Sequence, residues 1–308
     1  MRVFITGGTG LIGKRLIGRL RERHDEVVVL TRRPSAAKEQ LGETCVVVEG
    51  DPKKPGDWMA AVQTCDAVIN LAGEGIFNHR WNDSFKAELR DSRVQSTANV
   101  VQALARQPRT AQEQPKVLVN ASAIGYFGPR GDEELTEDSP AGDDFLAKLC
   151  VEWESAAQAG EQHGLRVAIV RVGVVLDTNG GALAKLLPPF KLGGGGPVGS
   201  GKQYMSWIHR DDIVGLFLLA LDHANARGPL NGTAPNPVTN KEFAKTLGKT
   251  LCRPSFLPTP AFALRLMLGE VADVVTTGQR VLPHKAKSLG YDFRFTELAA
   301  ALEDLLRK

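Results

Sequence analysis

The stretch RVFITGGTGLIGKRL, residues 2–16, contains the residues best suited to binding chemistry. Gly7, Gly10 and Gly13 stand directly after a Val/Ile-rich strand and at the start of an amphipathic helix. Glycines at that junction let the backbone turn tightly and approach a pyrophosphate, whose charge then faces a helix N-terminus. Thr9, Leu11 and Ile12 belong to the same turn. The second strand closes on Thr31, Arg32 and Arg33, where an NAD site carries a carboxylate for the ribose hydroxyls. Guanidiniums pair with a phosphate dianion through planar, charge-assisted hydrogen bonds, so the expected cofactor is NADP(H).

The elements that must position these groups follow an alternating rhythm. Apolar runs at 2–6, 26–31, 44–50, 66–73, 116–122 and 166–176 are nearly continuous in hydrophobicity, as strands buried on both faces are. Amphipathic stretches at 11–23, 56–63, 81–106 and 145–163 separate them. Right-handed crossovers of this kind predict an α/β fold, a Rossmann-type doubly wound parallel sheet. After residue 176 the rhythm breaks into a glycine-rich loop at 192–203 and a Pro/Asn-rich connector at 228–240. Thr239 or Asn240 can cap a helix running to about Leu251, and further helical runs lie near 260–268 and 296–307. The expected organisation is therefore a dinucleotide-binding domain over 1–240, with a small, mainly helical C-terminal domain over 241–308.

Composition narrows the function classes. With 308 residues, 43% hydrophobic and 24% charged, the chain has the make-up of a soluble α/β protein. Its net charge of +3 is scattered, which points to neither nucleic acid nor an anionic membrane. Apolar runs fall short of a membrane span, and the first strand begins at Arg2. Four cysteines without paired spacing read as reduced thiols, so the expected compartment is the cytoplasm.

The spacing of TGGTGLIG at 6–13, with NLAG at 70–73, NASAIGYFG at 120–128 and WIHRDDI at 207–213, resembles the extended branch of the short-chain dehydrogenase/reductase superfamily. Further matches are FLAKLCVEWE (145–154), GGGGPVGSG (193–201) and LGYDFRFTELAAALEDLL (289–306). Together they resemble an atypical epimerase family with its own small C-terminal domain, over essentially the whole chain. The resemblance implies that Asp51 lies near the adenine. It also implies that Leu71, Ala72, Gly73 and Ala121 line the cofactor groove, with Glu88 and Arg93 bordering it in contact with the cofactor ribose or phosphates. Pairing of two copies through the helices after strands four and five is a further implication.

The same resemblance supplies a catalytic tetrad, carried over one position at a time. Ser122 matches the serine and Lys148 the lysine, but Asp144 stands at the tyrosine position and Arg93 at the asparagine position. A carboxylate beside an ammonium is a poor acid at neutral pH, so Tyr126 is the substitute expected to handle the proton. Two readings stay open. One is an NADP(H)-dependent oxidoreductase or epimerase acting on an unidentified small molecule. The other is a catalytically silent NADP(H)-binding regulatory or scaffold protein, with a cell-division association among relatives. GPVGSGK at 196–202 imitates part of a nucleotide-triphosphate loop, but Gln203 replaces the metal-binding hydroxyl. The stretch reads instead as a mobile loop over the substrate pocket, with His209 bordering that pocket. No metal site is expected.

Overall fold

A computed structural model describes residues 1–42, 45–106 and 116–307. Thr44, expected to open the third strand, lies outside the described residues. In chain order the strands are β1 (Arg2–Thr6), β2 (Glu26–Thr31), β3 (Val46–Glu49), β4 (Ala67–Asn70), β5 (Val117–Ala123), β6 (Glu134–Leu135), β7 (Arg166–Val172), β8 (Val174–Asp177), β9 (Tyr204–Met205), β10 (Trp207–His209), β11 (Gly228–Gly232), β12 (Val238–Thr239) and β13 (Arg280–Val281). The α-helices are α1 (Leu11–Glu22), α2 (Pro34–Leu41), α3 (Trp58–Gln63), α4 (Asp83–Ala105), α5 (Phe145–Gln158), α6 (Gly181–Lys191), α7 (Arg210–Asp222), α8 (Asn240–Thr250), α9 (Ala261–Leu268), α10 (Asp273–Thr276), α11 (His284–Ser288) and α12 (Leu298–Leu306).

Seven strands pair in parallel in the order β11-β7-β5-β4-β1-β2-β3. Alternate residues feed two cores because successive side chains point to opposite faces. Val3, Ile5, Val27, Val29 and Ile69 pack with Leu16 and Leu20 of α1 and Phe217 of α7. Phe4, Val28, Leu30, Val68 and Leu118 pack with Trp58 of α3 and Val100 and Leu104 of α4. Each such side chain contributes about 1.5–3 kcal/mol by leaving water. The chain direction across the sheet reverses between β1 and β4, which opens a crevice at the carboxyl ends of the strands.

Two elements depart from the expected pattern. The run at 166–176 is two strands: Gly173 interrupts it, and β8 pairs with β10 in a separate sheet. A side chain at Gly173 would stand 2.5 Å from the Ser206 carbonyl oxygen, so only glycine admits that crossing chain. The connector at 228–240 contains β11, the seventh strand, hidden in the sequence by its composition Gly-Pro-Leu-Asn-Gly. Proline is tolerated there because β11 is an edge strand.

The C-terminal helices complete another core. Phe243 and Leu247 of α8 and Leu298, Leu302 and Leu305 of α12 close over Leu176, Leu183, Leu187, Phe190 and Trp207. Residues on both sides of position 240 thus build this core. Thr239 caps α8 through a capping box with Glu242. Asp212 ties the tail down by accepting from the backbone N–H groups of Arg294 at 2.9 Å and Phe295 at 3.0 Å.

Candidate functional site

The glycine turn closes β1 onto α1. Gly7 adopts φ 67°, and a Cβ there would lie 2.6 Å from the Leu71 carbonyl oxygen, so the ends of β1 and β4 touch backbone to backbone. A Cβ at Gly13 would lie 2.5 Å from the Gly7 oxygen, which fixes how closely α1 approaches the turn. Gly10 is the N-cap of α1 and offers no side chain to its first-turn N–H groups. Thr9, Leu11 and Ile12 complete this turn, with Leu11 packed beside the position a Gly180 side chain would take. Uncapped donors at the positive end of a helix dipole, behind a glycine-rich turn, form a cradle with the shape and polarity a pyrophosphate requires.

Beside it, Thr6 and Asn70 hold the loop after β4. The Thr6 hydroxyl donates to Asn70 Oδ1 at 2.5 Å and accepts from the N–H groups of Leu71 at 3.2 Å and Ala72 at 3.1 Å. Asn70 in turn donates to Asn120 at 2.6 Å and to Thr97 at 2.9 Å, so β1, β4, β5 and α4 share one buried polar chain. Gly73 lets the Arg93 guanidinium come close, since a Cβ there would lie 3.3 Å from Arg93 Cζ. Arg93 donates to the Glu74 carbonyl at 2.9 Å and the Leu89 carbonyl at 3.0 Å, and burial lowers its pKa. It therefore packs beneath the loop wall. Ala121, nearly fully buried, adjoins this wall on β5.

At the far side of β1, Arg32 and Arg33 are exposed after Thr31, whose Oγ1 accepts from the Arg33 N–H at 3.1 Å. Asp51 follows β3 and accepts from the Lys53 N–H at 3.0 Å, and the Lys53 ammonium reaches Glu88 at 2.8 Å. Glu88 is thus joined to Lys53, a residue the sequence reading did not single out. Only the fold reveals this pair, because it spans 35 positions and two elements.

The end of β5 is organised differently. The Ser122 hydroxyl donates to Glu154 Oε1 at 2.6 Å, and Ser122 is 2% exposed. Glu154 is held by Arg171 in a fork, Nε to Oε1 and Nη2 to Oε2, both at 2.8 Å. The Arg171 guanidinium also covers the Tyr126 ring at 3.5 Å from its centroid and donates to the Glu137 carbonyl at 3.2 Å. Tyr126 lies in a short 3₁₀ turn, half-buried against Phe127.

Ser122 and Tyr126 thus share the Glu154–Arg171 pair, but Lys148 is not brought to them. The α5 stripe facing the β5 end is Leu146, Cys150 and Glu154, one turn apart: Leu146 and Cys150 flank Gly125, and Cys150 Sγ lies 3.7 Å from the Ala123 carbonyl. Lys148, two residues from Cys150, is turned about 200° around the helix and is exposed. Asp144 does not pair with it; its carboxylate caps α5 by accepting from the Ala147 N–H at 2.7 Å. Burial, reinforced by Glu154, pushes the Cys150 thiol up to about 12. The groove positions four residues apart are therefore occupied by an aliphatic side chain and a neutral thiol.

Two other expectations change. His209 does not border a pocket; it is fully buried, caps α7 by accepting from the Asp211 N–H at 3.1 Å, and stacks on Phe295 at 3.9 Å between ring centroids. The loop at 192–203 is pinned in place. Gly199 donates to the Thr259 carbonyl at 2.9 Å and Thr259 to that of Pro197 at 2.8 Å, while any side chain at Gly196 would overlap the Leu257 carbonyl. Its glycines serve close backbone approach. Among the described residues there is no cluster of metal-ligating side chains, and no helix is long and apolar enough to cross a membrane.

Comparison with known proteins agrees with this architecture. Residues 3–231 match the NAD dependent epimerase/dehydratase family, and residues 259–305 match a domain of unknown function, DUF1731. The chain is 43% identical to the chloroplastic epimerase family protein SDR39U1 homolog of Arabidopsis thaliana, over 100% of this chain and 87% of that protein. It is 38% identical to the human epimerase family protein SDR39U1, over 99% of this chain and 100% of the human one. The crystal structure of the human protein (isoform 2) with NADPH superposes with a TM-score of 0.86 at 37% identity, covering 99% of both chains. The chain belongs to the NAD dependent epimerase/dehydratase family, its Rossmann-type parallel sheet followed by a DUF1731 C-terminal segment.

Proposed function

We propose that this protein binds NADP(H) along the crevice and supports hydride transfer to or from a small molecule at the β5 end. In this reading Gly7, Thr9, Gly10, Leu11, Ile12 and Gly13 cradle the pyrophosphate, and Thr31, Arg32 and Arg33 meet the 2′-phosphate. Asp51 borders the adenine, while Leu71, Ala72, Gly73 and Ala121 line the nicotinamide half above Arg93. The observation that carries it is the pairing of a glycine-capped helix N-terminus with two exposed guanidiniums one strand away. The NADPH-bound human relative supports the same assignment. When bound, the nicotinamide supplies or accepts the hydride; the protein's part is to hold the reacting carbon and move the proton. Tyr126 or water does the latter, since Leu146 and Cys150 cannot. The proposal extends to a homodimer through α4 and α5, with no nucleic acid or membrane partner.

Titration of purified protein with NADPH and NADH, followed by nicotinamide fluorescence, tests the binding reading. Tight NADPH binding that Arg32→Ala/Arg33→Ala selectively removes is expected; binding of neither dinucleotide overturns it. A second reading, a cofactor binder without turnover, is favoured by one observation: the Ser122 hydroxyl is directed inward to Glu154. Deuterium transfer from labelled NADPH into components of a cell extract, lost in Tyr126→Phe, supports the enzyme. Its absence from the wild type supports the silent binder.

A further inference from the structure

Resting on the NADP(H) reading, we infer that Lys53 is a third cation of the 2′-phosphate subsite, and that Glu88 is a positioning residue for it rather than a ligand of the adenosine ribose. The segment carrying Lys53 runs beside the one carrying the two arginines. Thr31 is in register with Glu49, and Gly50 donates to the Thr31 carbonyl at 3.0 Å, so residues 51–53 leave the sheet alongside 31–33. That segment is fixed from several directions. Asn99 of α4 donates to the Pro52 carbonyl at 2.8 Å, Trp58 Nε1 donates to the Lys54 carbonyl at 3.0 Å, and Asp51 accepts from the Lys53 N–H.

The side chain is then aimed by Glu88, 2.8 Å from the ammonium, with Lys53 23% exposed and Glu88 41%. The ammonium is close enough to Arg32 for the two cations to repel, while Glu88 first and Asp51 after it favour the charged lysine. A dianion entering between Arg32 and Lys53 turns that repulsion into attraction on both sides.

Charge balance gives Lys53 a role the arginines do not fill. Glu88 and Asp51 attract the Lys53 ammonium and Arg32 repels it, so without Lys53 both carboxylates would stand unmasked beside the arginine segment. A phosphate monoester carries about −1.5 to −2 at neutral pH. The exposed arginines alone would therefore meet it beside two carboxylates that repel it. With Lys53 bonded to Glu88, one of those carboxylates is masked, and the ammonium keeps further N–H donors for a ligand.

The test uses the 308-residue chain and four variants, with dissociation constants for NADPH and NADH from nicotinamide fluorescence. Lys53→Met is expected to weaken NADPH about tenfold, with the loss confined to NADPH. Glu88→Gln keeps an acceptor for the ammonium but removes the negative charge, so NADPH binding tightens about two- to threefold and NADH binding does not follow. Retention of the full NADPH preference in Lys53→Met, while Arg32→Ala and Arg33→Ala lose it, overturns the assignment of Lys53. Equal weakening of both dinucleotides in Glu88→Gln overturns the positioning role and returns Glu88 to the ribose. A wild-type protein without NADPH preference brings down the cofactor reading itself, and this inference with it.

Discussion

The two ends of the crevice are built on opposite principles. At the β1 end, the proposed binding rests on what is left out: side chains at Gly7, Gly10 and Gly13, a side-chain cap on α1, and a carboxylate after β2. At the β5 end Ser122, Glu154 and Arg171 are bound to one another. Ser122 donates to Glu154, Glu154 is clasped by Arg171, and Arg171 covers Tyr126. The first end is open to an anion from outside; the second has turned its polar groups inward. Binding and catalysis can therefore diverge in one fold, because a cradle for pyrophosphate needs only backbone geometry while proton transfer depends on particular side chains.

The strongest way to break this contrast is Gly13→Ala. The added methyl meets the Gly7 carbonyl and the Gly8 backbone, which have nowhere to go, so the cradle must open. Overpacking of this kind costs about 1–3 kcal/mol, and NADPH affinity should fall about 100-fold at the upper end of that range. Unchanged affinity in the same titration would remove the turn from the binding site. The largest effect on stability is expected from Arg171→Met, which leaves the Glu154 carboxylate buried without its cationic partner. Urea unfolding should show a loss of about 3–5 kcal/mol, whereas a loss below about 1 kcal/mol would mean that water reaches the pair.

Smaller effects sharpen the contrast. Ser122→Ala removes one hydrogen bond from an otherwise satisfied carboxylate, so stability should drop by about 1 kcal/mol while NADPH affinity stays level. A large loss of NADPH affinity would show instead that Ser122 faces the cofactor. The least change is expected at Cys150. A thiol raised to about 12 stays protonated through the neutral range, so iodoacetamide at pH 8 should label exposed Cys252 and spare Cys150, as read by peptide mass spectrometry. Rapid labelling of Cys150 would indicate a thiolate and an active role for the residue.

Much of the β1 end was legible because its signals are local. A glycine turn between strand and helix, and two arginines closing the next strand, lie within 33 residues and depend on backbone conformation and formal charge. The α5 helix shows the limit of such reading. Its start at Phe145 was legible, yet Lys148 faces away while Cys150 and Leu146 face the groove, because two residues along a helix rotate a side chain by about 200°. Strand β11 escaped for another reason: its Gly-Pro-Leu-Asn-Gly composition has no strand propensity, and pairing with β7 alone makes it a strand.

The sequence by itself determined the alternation of strands and helices, the glycine turn between β1 and α1 and the missing carboxylate after β2, since periodicity, glycine and charge act over a few residues. Tertiary structure alone decided which charges pair. Lys53 with Glu88, Ser122 with Glu154 and Glu154 with Arg171 are 35, 32 and 17 positions apart, and only the docking of α4 and α5 onto the sheet brings each carboxylate within hydrogen-bonding distance of its partner.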